Sequence, residues 1–242
     1  MNQYKSSAEL KDLAKEKLCG RYGITMSALL LVGCISFLAT TVITGNFATY
    51  TLTQYIIYAA ITAAISVFTG IFETGTCLLY LNIACGQPYR WEDVFHAVSN
   101  QPGNTLTVSF ANAFTNFICL IPYQIFMHLF LISENVTYMM LMFLSAGIGL
   151  LIYVPISLAI SQSYYLLLDF PEYTGVQALK TSCQLMKGNM GRLFYIQASF
   201  LPLIFLGVLS FGLGLIWLIP YMKMTYTLFF LDIMNPSKTE IH

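Results

Sequence analysis

Charged residues are scarce in this sequence: they make up 9% of its 242 residues, whereas hydrophobic residues make up 57%. A soluble domain carries about 25% charged residues. A soluble fold of this length could not cover so much apolar surface, so lipid must solvate most of it. The formal net charge is zero, which argues against a nucleic-acid partner because phosphate recognition needs a basic field. The composition therefore predicts an integral membrane protein that contacts membrane lipids.

The sequence also lacks the usual motifs for metal binding, nucleophilic catalysis and nucleotide binding. No H-x-x-x-H, H-E-x-x-H, G-x-S-x-G or P-loop pattern occurs. The six cysteines form no C-x-x-C pair, and we expect them to be reduced and to serve as small apolar residues. We therefore expect no enzyme activity, no catalytic residue, no metal ion and no cofactor.

Long apolar runs are what the sequence has in abundance. A transmembrane helix needs about 20 largely apolar residues, and such runs occupy 24–43, 54–81, 105–132 and 138–168. The stretch 193–231 is too long for one crossing, so we expect a turn at the glycine-containing segment 210–214 and spans at 193–209 and 215–232. Turns are also expected at Gly45 and Asn46 and at 133–137. The sequence predicts an all-α, polytopic transmembrane helix bundle of about six spans.

The distribution of lysine and arginine predicts the orientation of these spans. Ten of the 11 basic residues lie before the first span, between spans two and three, between spans four and five, or after the sixth span. The remaining one, Lys223, lies within a span. By the positive-inside rule both termini are cytoplasmic. We expect a multi-pass protein of the cell membrane.

An amphipathic segment precedes each pair of spans, at 6–19, 91–98 and 174–187. Ser6 with Glu9, and Thr174 with Gln177, have the spacing of capping boxes. Such helices either lie in the membrane interface or pack against the ends of the spans. The single domain 1–242 would then contain three units, 6–82, 91–169 and 174–232, each a cytoplasmic amphipathic helix followed by a transmembrane hairpin. The predicted apolar stripes are Leu10, Leu13, Ala14 and Leu18; Trp91, Val94, Phe95 and Val98; and Val176, Leu179, Cys183 and Met186.

Several stretches resemble a bacterial integral membrane family known as domain-of-unknown-function family 975. They are ELKDLAK at 9–15, GRYG at 20–23, DFP at 169–171, ALKTS at 178–182, MKGN at 186–189 and FGLGLIWLIPY at 211–221. The resemblance covers nearly the whole chain, although the middle matches only in hydropathy. Tyr22 stands where the family often has tryptophan. The resemblance implies a bacterial membrane protein with several spans and no established activity.

Glu73 and Lys223 are the acidic and the basic residue that lie deep within predicted spans. An ionisable group at this depth is costly and is a functional hypothesis by default. Each residue stands nine positions before the polar residue that closes its hairpin, Asn82 or Asp232. At 1.5 Å per residue both lie about 13 Å from the boundary, so we predict an intramembrane ion pair. The alternatives are an ion-coupled transport site, and snorkelling or neutral burial of the two side chains.

Small residues within the spans predict close contacts between helices. Gly70, Gly75, Gly147, Gly149 and Ser145 allow neighbouring backbones to approach. The favoured function is a non-enzymatic membrane scaffold that binds lipid, a protein partner or a second copy of itself. The alternative is a small transporter or channel that uses the Glu73 and Lys223 pair.

Overall fold

The computed structural model describes residues 4–44, 52–100 and 102–235. Within these ranges the chain forms α-helices, a short 3-10 helix at Trp91–Phe95 and no strand, so the predicted all-α fold is confirmed. The predicted turn at Gly45 and Asn46 lies outside the described residues. The helices are α1 (Ser7–Leu18), α2 (Tyr22–Thr44), α3 (Leu52–Cys85), α4 (His96–Ser99), α5 (Pro102–Ser133), α6 (Val136–Ile160), α7 (Ser163–Asp169), α8 (Gly175–Met186), α9 (Met190–Ala198), α10 (Leu201–Leu209) and α11 (Leu215–Met234).

Five stretches in the described part of the chain are long and apolar enough to cross a membrane. They correspond to the first five predicted spans. The sixth predicted span is α11, which has 20 residues, includes Lys223 and Asp232, and is not among these five stretches. It packs against α1, α2, α3 and α10, and a helix enclosed by protein can hold polar side chains that lipid would exclude. The five stretches are Tyr22–Val42, Ile56–Cys85, Pro102–Ser133, Val136–Asp169 and Met190–Leu209.

The fourth predicted span is interrupted at Ser161 and Gln162, between α6 and α7. This break leaves backbone groups without a hydrogen-bond partner in the helix, and a side chain of α8 supplies that partner. The Ser182 hydroxyl donates to the Ala159 carbonyl oxygen at 2.7 Å and accepts from the Gln162 N–H at 3.2 Å. Since lipid offers no hydrogen-bond partner, the break depends on its contact with α8.

The two connector helices α1 and α8 share their length, their caps and the position of their buried residues. Both have 12 residues and begin with a capping box, at Ser6 and at Thr174. In α1 the hydrogen bond from the Ser6 N–H lowers the pKa of the Glu9 carboxyl. Both are followed at the same spacing by a left-handed glycine, which accepts this conformation at low cost. Leu10, Ala14 and Leu18 are buried in α1, and Ala178, Ser182 and Met186 at the equivalent positions of α8.

The apolar stripe predicted on α8 is confirmed at Met186 and in part at Leu179, which packs against the core, and it was wrong at the other two positions. Val176 is exposed, and Leu179 and Cys183 are only half-buried. Gly175 lies so close to α5 that an added methyl would meet the Thr107 side chain at 2.6 Å. Because α8 packs against α5, α6 and α7 at once, small residues rather than large apolar ones face its neighbours.

The middle connector, 91–98, was also predicted wrongly as one amphipathic helix. It forms the 3-10 helix and then α4, with Val94 buried but Trp91 and Val98 exposed. The Val94 backbone lies directly on Gly75 of α3, where an added methyl would overlap the Val94 carbonyl. This segment is therefore fixed by backbone contact at a glycine and not by an apolar stripe.

The second and third connectors pack against helices that precede them in the chain, and α1 packs against the last helix. The 3-10 helix and α4 contact α3, α8 contacts α5 to α7, and α1 contacts α11. Lys11 of α1 lies with its Nζ 3.4 Å from the Ser199 carbonyl oxygen and 4.1 Å from the centre of the Phe200 ring. Burial lowers the pKa of Lys11. Of the two alternatives for these segments, the membrane interface or packing against the spans, the structure shows packing against the spans.

Close helix contacts occur at three of the four predicted glycines. Gly70 faces Ser109, Gly75 faces Val94, and Gly149 of α6 faces the Cys119 carbonyl of α5, whereas Gly147 has open space around it.

The glycine contacts predict opposite effects for two neighbouring substitutions. We expect Gly149→Ala to lower the free energy of unfolding by about 1–3 kcal/mol, because its methyl group would push α5 and α6 apart. Gly147→Ala should be neutral or stabilising by up to about 1 kcal/mol, since alanine favours a helix and has room here. Thermal unfolding in detergent measures both, and equal effects would contradict the α5–α6 contact.

Candidate functional site

The structure brings Glu73 and Lys223 together at the contact between α3 and α11. Lys223 Nζ donates a hydrogen bond to Glu73 Oε1, and the two side chains form an ion pair. The Glu73 side chain is 42% exposed and the Lys223 side chain 26%. The pair therefore lies at the edge of the helix contact and is not sealed inside it.

Hydrogen bonds connect this pair to α7. Thr227, one turn after Lys223, donates its hydroxyl to the Lys223 carbonyl oxygen at 3.0 Å. The Thr227 hydroxyl also lies 3.0 Å from that of Tyr165, and both residues are buried. Sequence reasoning missed Thr227 and Tyr165, although the four-residue spacing between Lys223 and Thr227 places both on one helix face. These contacts join α3, α7 and α11 at one level of the bundle.

α3 and α5 are in close contact where Gly70 faces Ser109, and a cavity lies on each side of this contact. The Ser109 hydroxyl donates to the Thr105 carbonyl oxygen at 3.0 Å and lies 3.2 Å from the Tyr164 hydroxyl. Towards the start of α3 and the end of α5, the two helices enclose a cleft of about 850 Å³. Polar residues occur in its lining at Gln124 and His128. Its apolar walls include Ala59, Ala63, Val67 and Phe68 of α3, and Phe110, Phe114, Phe117 and Ile121 of α5.

A second ion pair ties the end of α11 to α9 and to the segment before α1. Arg192 Nη2 donates to Asp232 Oδ2 at 2.6 Å and to the Lys5 carbonyl oxygen at 3.0 Å. The Lys5 N–H donates to Asp232 Oδ1 at 3.2 Å. The Arg192 guanidinium lies 4.3 Å from the centre of the Tyr4 ring. The Asp232 side chain is 1% exposed, so both of its oxygens have partners in a buried site.

The structure gives no indication of a metal centre in the part of the chain that it describes. No group of three or more His, Cys, Asp or Glu side chains that could hold a metal ion occurs within residues 4–44, 52–100 and 102–235. All six cysteines are free thiols, and Cys77 is buried on α3 one turn after Glu73. The ionisable groups at mid-bundle thus pair with each other.

Comparison with known proteins gives one match. A family model described as a protein of unknown function (DUF975) matches residues 1–237. No curated protein and no solved structure matches the chain. The model covers nearly the whole sequence, including the motifs at both ends that resemble this family. The chain therefore belongs to the family of proteins of unknown function DUF975.

Proposed function

We propose that this membrane protein is not an enzyme and that it binds a lipid acyl chain in the cleft between α3 and α5. The cleft carries the proposal. Its volume of about 850 Å³ lies within the range of about 300–1,000 Å³ found for ligand sites. From Ile56 to Phe68 it follows α3 for about 18 Å, at 1.5 Å per residue. That length is close to half of a hydrocarbon core about 30 Å thick, so the cleft suits a chain from one leaflet.

The polar groups at mid-bundle support a structural role beside this cleft. Glu73 is paired with Lys223, Thr227 with Tyr165, and Ser109 with Tyr164. Each of these contacts joins two different helices. The polar side chains that are candidates for catalysis thus make contacts between helices, including the two helices that form the cleft.

A variant that fills the cleft tests lipid binding. In nanodiscs that contain a phospholipid with a photoreactive acyl chain, we expect labelling of the wild type to concentrate at 56–68 and 110–125. Ala64→Phe should remove most of this labelling, because Ala64 lines the cleft and the new ring would occupy the space of the chain. Mass spectrometry of the labelled peptides measures the effect.

The matched control puts the same side chain elsewhere on the lipid-facing surface. Leu144 of α6 is 61% exposed, and Leu144→Phe should leave the labelling of the cleft unchanged. Labelling spread evenly over all exposed helices, or unaffected by Ala64→Phe, would count against a defined binding site.

Transport is the second candidate, and the 42% exposure of the Glu73 side chain favours it. An ion or proton could reach this carboxylate without parting α3 and α11. In that case Glu73→Gln should abolish the flux of ions or protons measured in proteoliposomes and leave the fold intact. If the wild type shows no such flux, transport is excluded as the function.

We further propose that the protein crosses the cell membrane several times with both termini in the cytoplasm. The support is the contact of Lys5 and Arg192 with Asp232 and of Arg21 with the Ile83 carbonyl, which gathers basic residues at one end of the bundle. Labelling of introduced cysteines from each side of the membrane tests this orientation. Access to Glu134 from the cytoplasmic side alone would contradict it.

A further inference from the structure

A polar cavity lies on the other side of the α3–α5 contact from the apolar cleft. It has a volume of about 570 Å³ and is enclosed by α3, α4, α5 and α7. The contact at Gly70 and Ser109 separates it from the cleft, since the cavity is lined by α3 and α5 residues on the opposite side of this point. Its lining includes Thr74, Leu78, His96, Asn100, Thr105 and Leu167.

Thr74 differs from the neighbouring threonines of α3. Thr62 donates its hydroxyl to the Ala59 carbonyl oxygen at 2.9 Å, and Thr76 donates to that of Glu73 at 2.8 Å. The Thr74 hydroxyl has no hydrogen-bond partner among the described residues, although the residue is only 2% exposed. A buried hydroxyl without a partner destabilises the fold. Its place in the cavity wall points to a partner that occupies the cavity.

The groups around the cavity favour a negatively charged partner. α5, a helix of 32 residues, begins at Pro102, which has no N–H, and the first-turn residue Thr105 brings this end of the helix to the cavity. The first N–H groups of a helix have no partner within the helix and carry a partial positive charge. Thr105, in the first turn, is buried in the lining. Asn100 and His96 also line the cavity, and the Asn100 Nδ2 lies 3.3 Å from His96 Nδ1. The lining contains no carboxylate.

We propose that this cavity binds a phosphate group, which accepts hydrogen bonds from the hydroxyls of Thr74 and Thr105. The positive end of a helix favours such an anion. The phosphate belongs either to a phospholipid headgroup or to free phosphate. Binding here does not depend on the apolar cleft, because the two sites share no lining residue.

The substitution Thr74→Val removes the hydroxyl and keeps the shape of the side chain. We expect two opposite results from the purified full chain in detergent. Without phosphate or added lipid the variant should unfold at a higher temperature than the wild type, because an unpartnered buried hydroxyl is gone. With phosphate, or with phospholipid, it should bind roughly tenfold or more weakly, since a hydrogen bond to a charged group is lost.

Two arms distinguish the sources of the phosphate. In the first, inorganic phosphate is titrated against sodium chloride of equal ionic strength, and the unfolding temperature is measured. In the second, native mass spectrometry measures retained phospholipid. A shift by phosphate alone identifies free phosphate as the ligand, and retained phospholipid that Thr74→Val releases identifies a headgroup.

Thr76→Val is the matched control, since its hydroxyl bonds to its own helix and it does not line the cavity. It should bind as the wild type does. Asn100→Ala, at the exposed mouth of the cavity, should weaken binding even if Thr74→Val does not fold. The proposal is overturned if neither arm shows binding, or if Thr74→Val and Asn100→Ala both bind as Thr76→Val does.

Discussion

Replacing Lys223 by leucine is expected to lower the free energy of unfolding by about 3–5 kcal/mol, because the Glu73 carboxyl would lose its partner in a medium of low dielectric. Glu73→Leu should cost a similar amount for the same reason. The double variant should lie much closer to the wild type, since neither charge then remains. Unfolding of the four proteins in detergent or nanodiscs gives the coupling energy of the pair.

An exposed ion pair of the same chain is the control for this cycle. Lys15 and Asp12 are 3.1 Å apart on α1, with side chains 61% and 74% exposed. Water screens such a pair, and we expect no measurable coupling. If the two single losses at Glu73 and Lys223 simply add, these residues do not stabilise each other. A coupling below about 1 kcal/mol is typical of hydrated pairs and would favour the transport function.

Replacing Asp232 by alanine is expected to lower the free energy of unfolding by about 3 kcal/mol. The change removes the carboxylate that accepts from Arg192 and from the Lys5 N–H, and it leaves the guanidinium, 26% exposed, without its counter-ion. We also expect the segment before α1 to detach, which would raise hydrogen exchange of the Lys5 amide. Thermal unfolding and hydrogen exchange measure the two effects.

Asp169 provides the control, because it closes the second hairpin as Asp232 closes the third. It is exposed at the end of α7, and Asp169→Ala should change stability by no more than about 0.5 kcal/mol. Similar losses at both positions would mean that the buried contacts of Asp232 contribute little.

The sequence was most informative where one segment determines its own structure. Apolar runs located the long helices, and the spacing of Ser6 from Glu9 and of Thr174 from Gln177 located the starts of α1 and α8. These signals are local, because a capping box and a span are each defined within one helix. The equal depth of Glu73 and Lys223 was likewise predicted within single helices, since each lies nine residues before Asn82 or Asp232.

Features that need two distant segments could not be predicted in this way. The break after α6 depends on Ser182, which lies about 20 residues later in α8. The buried face of α8 consists of small residues except at Met186, because three helices surround it. Hydrophobic periodicity does not reveal how many neighbours a helix has. The cleft and the polar cavity are both lined by residues of α3 and α5, which are distant from each other in the sequence. Neither helix alone reveals these cavities.

The contact of α1 with α11 also has a consequence for biogenesis. The ribosome completes α1 nearly 200 residues before it starts α11, which at about 5–20 residues per second is a delay of roughly 10–40 s. During this time Leu10, Ala14 and Leu18 have not met the helix that covers them. A membrane surface or a chaperone must shield them, and docking of α1 follows translation of the third hairpin. An immobile α1 therefore reports that the chain has been inserted through α11.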